Sequence, residues 1–183
     1  MRKLLWVFAL VVSCSGGSLW ARDHPTIRVR IGSKEADCGP AHVRLESVLM
    51  PNRQGPSFLA NAGATLYLVD VHQALRQFKL AVGVDGKWVG LLHGQSHVTI
   101  PLEPGTHHVC VRWRLLYGFG HIVRVARTTV KVEIGEPIFF FVSAEAPSMA
   151  YLGTPFIELH QVNAAEGAAR VEATPESKLQ NSP

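Results

Sequence analysis

Nine histidines are the residues of this 183-residue chain that could most readily hold a metal ion. His93 and His97 are four residues apart, which on a helix would place both on one face, but a strand pattern containing Gly94 lies between them. His107 and His108 are neighbours on a predicted strand, so their side chains point to opposite faces. No spacing of His and Cys matches a structural zinc site. The histidines therefore predict neither a metal site nor another cofactor site.

The residues that could carry nucleophilic or acid–base chemistry are also dispersed. No serine lies in a G-x-S-x-G turn, and no glycine-rich phosphate loop precedes a helix. His108 and Cys110 are two residues apart on one strand, and that spacing does not direct a thiol onto an imidazole. The acidic residues lie at turns or on outer strand positions, which is typical of solvated surface charge: Asp70, Asp85, Glu103 and Glu133. The sequence therefore predicts no catalytic residue and a protein that is not an enzyme.

The first 21 residues have the order of a secretory signal. Two basic residues precede an apolar run at residues 4–12, and small residues follow. The run is shorter than the about 20 residues that cross a bilayer. Cleavage after Ala21 is favoured, which makes residues 1–21 a signal peptide. The alternative is cleavage before Cys14, where the sequence resembles a lipoprotein box and would carry a lipid anchor.

Removal of residues 1–21 leaves a nearly neutral chain. The full sequence has 18 Lys and Arg against 14 Asp and Glu, and the signal holds two bases and no acid, so the remainder is 16 minus 14, or +2. No dense basic block and no further membrane-length stretch follow, so we predict no nucleic-acid partner and no transmembrane segment in the mature chain. Cys38 and Cys110 remain, and an even pair in an oxidising compartment favours one disulfide over two separate thiols.

The elements that must position these residues are short strands. Residues 22–63 form an N-terminal segment with one or two short strands, at 26–31 and 42–48, and a loop at 52–63. From 64 to 162 strand patterns recur between Gly and Pro turns, which predicts the core of an all-β, antiparallel β-sandwich. Within it, residues 65–71 and 138–142 are apolar enough for strands covered on both faces, and 155–162 is a last strand. Residues 163–183 predict a short helix near 164–171 and a disordered tail.

The first of two predicted hairpins turns at Asp85. Asp85 and the glycine after it form the signature of a type I′ turn. A two-residue turn places Val82 opposite Val89, and it places Trp88 opposite Gly83. The large ring then lies over a residue with no side chain, which favours this register.

The second predicted hairpin turns at residues 104 and 105. This turn places Val98 opposite Val111 in an apolar pair, and it places Ile100 opposite Val109 in another. Cys110 then faces away from the apolar stripe of its strand, towards a face that the Cys38 segment could cover. The following strand, at 121–134, shifts its phase of alternation, which predicts a bulge near residue 126.

One connection between strands is unusually apolar. Residues 115–120 interleave glycines with large apolar side chains: Leu115, Leu116, Tyr117 and Phe119. An exposed aromatic loop marks a partner-binding site. The alternative is a loop that folds back and plugs one end of the sandwich, and the sequence leaves both open.

Residues 84–90, followed by residues 104–110 with their Pro-Gly turn and paired histidines, resemble a bacterial domain-of-unknown-function family. Its members are small secreted proteins and lipoproteins, similar in plan to the PEGA module, and the resemblance covers residues 80–142. It implies a PEGA-like or immunoglobulin-like sandwich in a secreted or periplasmic protein, or in an outer-membrane-anchored lipoprotein. Cys38 begins a Cys-Gly-Pro motif that resembles one branch of the family, which implies a bridge to Cys110.

These patterns predict an exported, non-catalytic β-domain of the bacterial envelope. We expect it to bind an envelope protein or glycan, or to have a structural role. The alternative is a secreted hydrolase or metal-binding enzyme whose site is not recognisable from the sequence. Convergent polar groups in a deep pocket would favour the enzyme, whereas a smooth sandwich would favour the binding module.

Overall fold

The computed structural model describes residues 26–30, 38–51, 64–71, 79–117, 120–145 and 155–180, with the backbone alone for residues 26–30, 115–117, 120 and 121. The predicted signal, both cleavage sites and the predicted loop at 52–63 lie outside the described residues. Within the described part, no helix is both long and apolar enough to span a membrane.

The described residues form eleven strands and one short helix. In chain order these are β1 (Thr26–Arg30), β2 (Arg44–Met50), β3 (Ala64–Asp70), β4 (Lys79–Val84), β5 (Lys87–His93), β6 (His97–Leu102), β7 (Gly105–Tyr117), β8 (Gly120–Val132), β9 (Pro137–Glu145), β10 (Phe156–Val162), α1 (Ala164–Glu172) and β11 (Glu176–Leu179).

The strands form two sheets. The large sheet has the order β1-β2-β11-β6-β3-β9-β10, and the small sheet has the order β5-β4-β7-β8. Paired strands are antiparallel except for β3 with β9 and β11 with β6, and the second of these pairs is joined by one bridge, Glu176 with His97. The predicted all-β sandwich is confirmed, with the correction that β3 and β9 run parallel because the chain crosses to the small sheet between them.

The main core lies between the two sheets. β3 contributes Leu66 and Leu68 from the large sheet, and β7 contributes Val109, Val111 and Trp113 from the small sheet. These residues alternate along their strands, so the opposite side of β7 faces away from the core. β3 and most of β9 are buried on both faces, as their apolar sequences predict.

A second cluster covers the far face of β4 and β5. It contains Leu45 of β2, Trp88 and Leu91 of β5, and the two cysteines. Cys38 and Cys110 form a disulfide with their Cα atoms 5.5 Å apart, as predicted. Because β2 and β11 belong to the large sheet and also contact β5, the large sheet wraps around the β5 edge of the small one.

The chain after residue 162 is ordered differently from the prediction. The short helix is present as α1, capped by Asn163, whose side-chain oxygen accepts from the Glu166 amide at 2.9 Å. It packs on β3 and β9 at Gly167, where a Cβ atom would lie 2.2 Å from the Phe139 ring. The predicted disordered tail is wrong for residues 176–179, which form β11 with Ser177 buried between β2 and β5.

The predicted register of the first hairpin is correct only near its turn. Asp85 and Gly86 have φ values of 49° and 74°, as a type I′ turn requires, and Trp88 lies opposite Gly83. Beyond that pair the register shifts by one residue, so Val82 lies opposite Gly90 and not opposite Val89. This bulge places Leu91 on the same face as Trp88, where both join the second cluster.

The predicted second hairpin does not form. β6 pairs with β3 in the large sheet, whereas β7 pairs with β4 and β8 in the small sheet. The apolar residues of β6 and β7 do meet, but they meet across the core. The predicted bulge near Ala126 is also wrong, because β7 and β8 pair in one unbroken register. Val125 is instead exposed on the outer face, which explains the phase shift in the sequence.

Candidate ligand-binding cleft

A cleft of about 750 Å³ opens on the outer face of the small sheet, beside the disulfide. It lies where the turn between β4 and β5 meets the middle of β7 and β8. Its described lining is polar and apolar in nearly equal parts: Cys38, Asp85, Gly86, His108, Val109, Cys110, Arg127, Thr128 and Thr129. Two strands, one turn and the Cys38 segment therefore bring these residues together from distant parts of the chain.

Asp85 ties the turn to β7. Its amide donates to the His108 carbonyl at 3.0 Å, and its Oδ1 accepts from the His108 amide at 2.8 Å. Its Oδ2 lies 2.6 Å from Nδ1 of His107. Because the type I′ turn needs positive φ at both central residues, Asp and Gly suit this turn, and the Asp side chain is then directed at β7.

Asp85, which lines the cleft, forms an ion pair with His107, which is not a lining residue. The second ring nitrogen of His107, Nε2, lies 2.8 Å from the Glu103 carbonyl oxygen, so both nitrogens face acceptors and the doubly protonated ring satisfies both. The hydrogen bond to Asp85, and after it the bond to Glu103, raises the pKa of His107. In turn the bond from His107, and after it the bond from the His108 amide, lowers the pKa of Asp85.

The floor of the cleft continues across β7 and β8. His108 lies opposite Thr129, and Nδ1 of His108 is 3.2 Å from the threonine hydroxyl oxygen. Arg127 lies opposite Cys110, so its exposed side chain emerges beside the disulfide. The cleft therefore offers hydroxyl, imidazole and guanidinium groups within a small area.

The polar side-chain atoms of Asp85, His107 and Cys110 already have partners. Both carboxylate oxygens of Asp85 and both ring nitrogens of His107 are in hydrogen bonds, and Cys110 is oxidised. In the described part of the chain, no group of three or more His, Cys, Asp or Glu residues is placed to hold a metal ion. The arrangement is suited to holding a polar ligand by hydrogen bonds and charge.

The structure also brings together a set of cations that the sequence analysis missed. β7 and β8 together contain five Lys and Arg residues and no Asp or Glu: Arg112, Arg114, Arg124, Arg127 and Lys131. These residues are spread over twenty positions, so no basic block is visible in the sequence. They could have been found by predicting that residues 105–117 and 120–132 pair as one hairpin. That pairing brings four of the five, all except Arg124, onto one face.

The other predicted site residues lie elsewhere. Leu115, Leu116 and Tyr117 are the last three residues of β7, paired with the start of β8, so the predicted connection shortens to residues 118 and 119. Their side chains, the whole of Phe119 and the lipidation candidate Cys14 lie outside the described residues. The partner-binding loop and the lipid anchor therefore stay predictions.

His93 and His97, which the sequence brings closest to a metal-binding spacing, are apart from the cleft. His97 is buried, and its Nδ1 lies 2.9 Å from the Thr174 hydroxyl oxygen. Because that hydroxyl also donates to the Arg170 carbonyl at 3.0 Å, it accepts from the imidazole, which therefore has a proton on Nδ1. Burial lowers the pKa of His97 and is the largest influence on it.

Comparison of the chain with protein-family models, with curated protein sequences and with solved structures finds no match. The resemblance of residues 80–142 to a secreted bacterial family therefore stays a prediction that rests on its motif residues.

Proposed function

We propose that the chain is an exported, non-catalytic binding module of the bacterial cell envelope and that the cleft beside the disulfide is its ligand site. Export is supported by the signal pattern of residues 1–21. A disulfide between Cys38 and Cys110 suits an oxidising compartment. The cleft supplies hydroxyl, imidazole and guanidinium groups that a hydrophilic ligand can bind.

The bonding of the Asp85–His107 pair is the observation that carries this proposal. In hydrolases an aspartate orients a histidine whose other nitrogen takes a proton from a nucleophile. Here that nitrogen donates to the Glu103 carbonyl, and protonation of the ring removes its basic lone pair. The pair therefore fixes the wall of a binding cleft and leaves His107 no means of acting as a general base. A partner bound in the cleft is an envelope protein or a glycan.

A capture experiment tests the proposal. The oxidised protein is immobilised and exposed to an extract of the bacterial envelope, and the retained material is analysed by mass spectrometry and sugar analysis. Thr129→Trp fills the cleft from an exposed strand position. Gln161→Trp is the matched control, because Gln161 is an exposed polar residue on β10, away from the cleft.

We expect a retained component that is lost with Thr129→Trp and kept with Gln161→Trp. The retained material should be unchanged in mass after long incubation with excess protein. Equal capture by all three proteins, or the appearance of cleavage products, would overturn the proposal. Intact mass of the exported protein should show a chain that begins at Arg22, or at a lipidated Cys14, and a chain that retains residues 1–13 would contradict export.

A further inference from the structure

We propose, resting on the function above, that the ligand is a polyanionic glycan and that it lies along a row of cations on the outer face of β7 and β8. The row contains one cationic or imidazole side chain from each of five successive cross-strand pairs, and we call it the cation ladder. From one end to the other its members are Arg114, Arg112, Arg127, His108 and Lys131.

The register of the hairpin creates the cation ladder. The five outer-face pairs that supply the ladder are Arg114 with Val123, Arg112 with Val125, Cys110 with Arg127, His108 with Thr129 and Thr106 with Lys131. Successive pairs on one face are about 7 Å apart, because a strand rises about 3.3 Å per residue. Each pair has one member of the ladder and one neutral partner, so like charges never lie directly opposite each other.

The excess positive charge of this protein is concentrated in the hairpin of β7 and β8. The chain has 18 Lys and Arg against 14 Asp and Glu, and five of those bases and none of the acids lie in β7 and β8. The rest of the chain therefore has 13 bases against 14 acids, or −1, whereas the hairpin has +5. Four of the five bases lie on the outer face, whereas Arg124 is paired with Trp113 on the other face. Such segregation gives the outer face a positive potential that attracts anions, although the molecule as a whole is nearly neutral.

One member of the cation ladder is buried, and the other four are exposed. Arg112 is only 1% exposed, and the side chains of Arg114, His108, Arg127 and Lys131 are exposed. Lys131 contacts Glu133 at 3.3 Å, but both side chains are more than half exposed. Such a pair contributes little, so an anionic ligand can replace the glutamate.

Protection of a sheet edge does not account for this pattern. β8 is an end strand of the small sheet, and charges on end strands discourage pairing with other chains. That role would be served by acids as well as by bases. It would also not require cations on β7, which is an internal strand and supplies three of the five ladder members.

The neighbouring groups favour a glycan over a nucleic acid or an acidic protein. Thr106 and Thr129 add hydroxyl groups on the same face, and the cleft lies against it. Apart from the His108 imidazole, these five pairs lack a ring on which a base could stack. They also lack the buried aromatic anchors of most protein interfaces. An extended polymer with acidic groups along its length matches a linear row of cations with flanking hydroxyls.

The test compares one neutral glycan, two acidic glycans and a nucleic acid. Binding of the oxidised protein to dextran, dextran sulfate, polygalacturonate and a single-stranded DNA oligonucleotide is measured by calorimetry in about 50 mM and about 300 mM NaCl, because salt screens exposed charges. We expect binding to both acidic glycans that weakens with salt, none to dextran, and weaker binding to DNA.

The ladder is tested by the double variant Arg127→Gln with Lys131→Gln, which should bind the acidic glycans about tenfold more weakly, as loss of two exposed ion pairs implies. The control is Arg170→Gln with Lys178→Gln, which removes the same charge from exposed positions on α1 and β11 and should bind normally. Circular dichroism verifies that both variants are folded.

Three results would overturn the inference: equal binding of dextran and dextran sulfate, equal loss in the ladder and control variants, or DNA binding as tight as glycan binding. These results leave the proposed function intact when Thr129→Trp still abolishes capture of an envelope component. Failure of both experiments would reject the cleft as a ligand site altogether.

Discussion

The two faces of the small sheet are made by alternate residues of the same strands, yet they differ in almost every property. On the inner face, Val109, Val111 and Trp113 of β7 are buried against the large sheet. On the outer face, the residues between them include Cys110, which is bridged, and Arg112, which is a buried cation. One hairpin can therefore stabilise the fold with its inner-face residues and offer polar and charged groups to a ligand with its outer-face residues.

The outer face is itself divided between a covered half and an open half. Over β4 and β5, the Cys38 segment lies so close that a Cβ atom at Gly83 would be 2.1 Å from the Cys38 carbonyl oxygen. Trp88 adds a hydrogen bond from its indole nitrogen to the Pro40 carbonyl at 2.9 Å. Over β7 and β8, most outer-face residues are exposed. The disulfide lies at the boundary, so it anchors the cover and forms one wall of the cleft.

The largest effect should separate two adjacent residues of β7. Trp113→Ala removes a fully buried ring from the core and should lower the free energy of unfolding by about 3–5 kcal/mol. Arg114→Ala, one residue along and exposed on the other face, should change it by no more than about 0.5 kcal/mol. Urea unfolding of the two variants measures both values. Similar losses would show that the two faces are equally important to stability.

Removal of the disulfide should have the next largest effect. The bridge joins residues 72 positions apart. By the chain-entropy argument, replacing both Cys38 and Cys110 by Ala lowers the free energy of unfolding by up to about 4 kcal/mol. Unfolding of the double variant and of the wild-type protein under reducing conditions should give similar midpoints. A double variant as stable as the oxidised protein would show that the cover of β4 and β5 needs no anchor.

The covered half also shows what the sequence could predict. The type I′ turn at Asp85 was predictable because few residue pairs tolerate positive φ at both positions. The orientation of Cys110 was predictable because side chains alternate along a strand. The bulge at Val89 was not predictable, because it arises from packing of Trp88 and Leu91 beneath strands that are distant in the sequence.

The second predicted hairpin failed for an instructive reason. Val98 and Ile100 match Val109 and Val111 in their apolar pattern whether the strands pair in one sheet or face each other across a sandwich. Periodicity therefore identified residues that share a core but not the sheet to which each strand belongs. The cation ladder was missed for the same reason, since it exists only when β7 pairs with β8.

In the large sheet, β6 also has two faces with different roles. Val98 faces the core, and His97 lies on the other side beneath the C-terminal segment. Burial lowers the pKa of His97; Glu176 opposes that change, and Lys178 adds to it. Below about pH 6.5 the unfolded chain therefore binds more protons at this residue than the folded one, and stability falls as the pH falls. His97→Asn keeps a donor for Thr174 without a titrating ring.

Unfolding between about pH 7 and about pH 5 should accordingly show a steeper loss for the wild-type protein than for His97→Asn. The difference isolates His97 from carboxylates, which titrate in both proteins. Parallel pH profiles would show that protonation of His97 does not weaken attachment of the C-terminal segment.

The smallest effect on stability should come from the Asp85–His107 pair on the open side. Asp85→Asn keeps an acceptor for the His108 amide and removes the charge beside His107. Because the Asp85 side chain is 44% exposed and solvent screens its charge, the free energy of unfolding should change by less than about 1 kcal/mol. The lowered pKa of Asp85 gives stability that is lost on acidification, and the raised pKa of His107 gives stability that is lost as the pH rises. The difference from wild type should therefore be largest between about pH 4 and about pH 6.5. NMR titration should show the pKa of His107 falling in the variant, and an unchanged value would mean that Asp85 does not hold this ring in its protonated form.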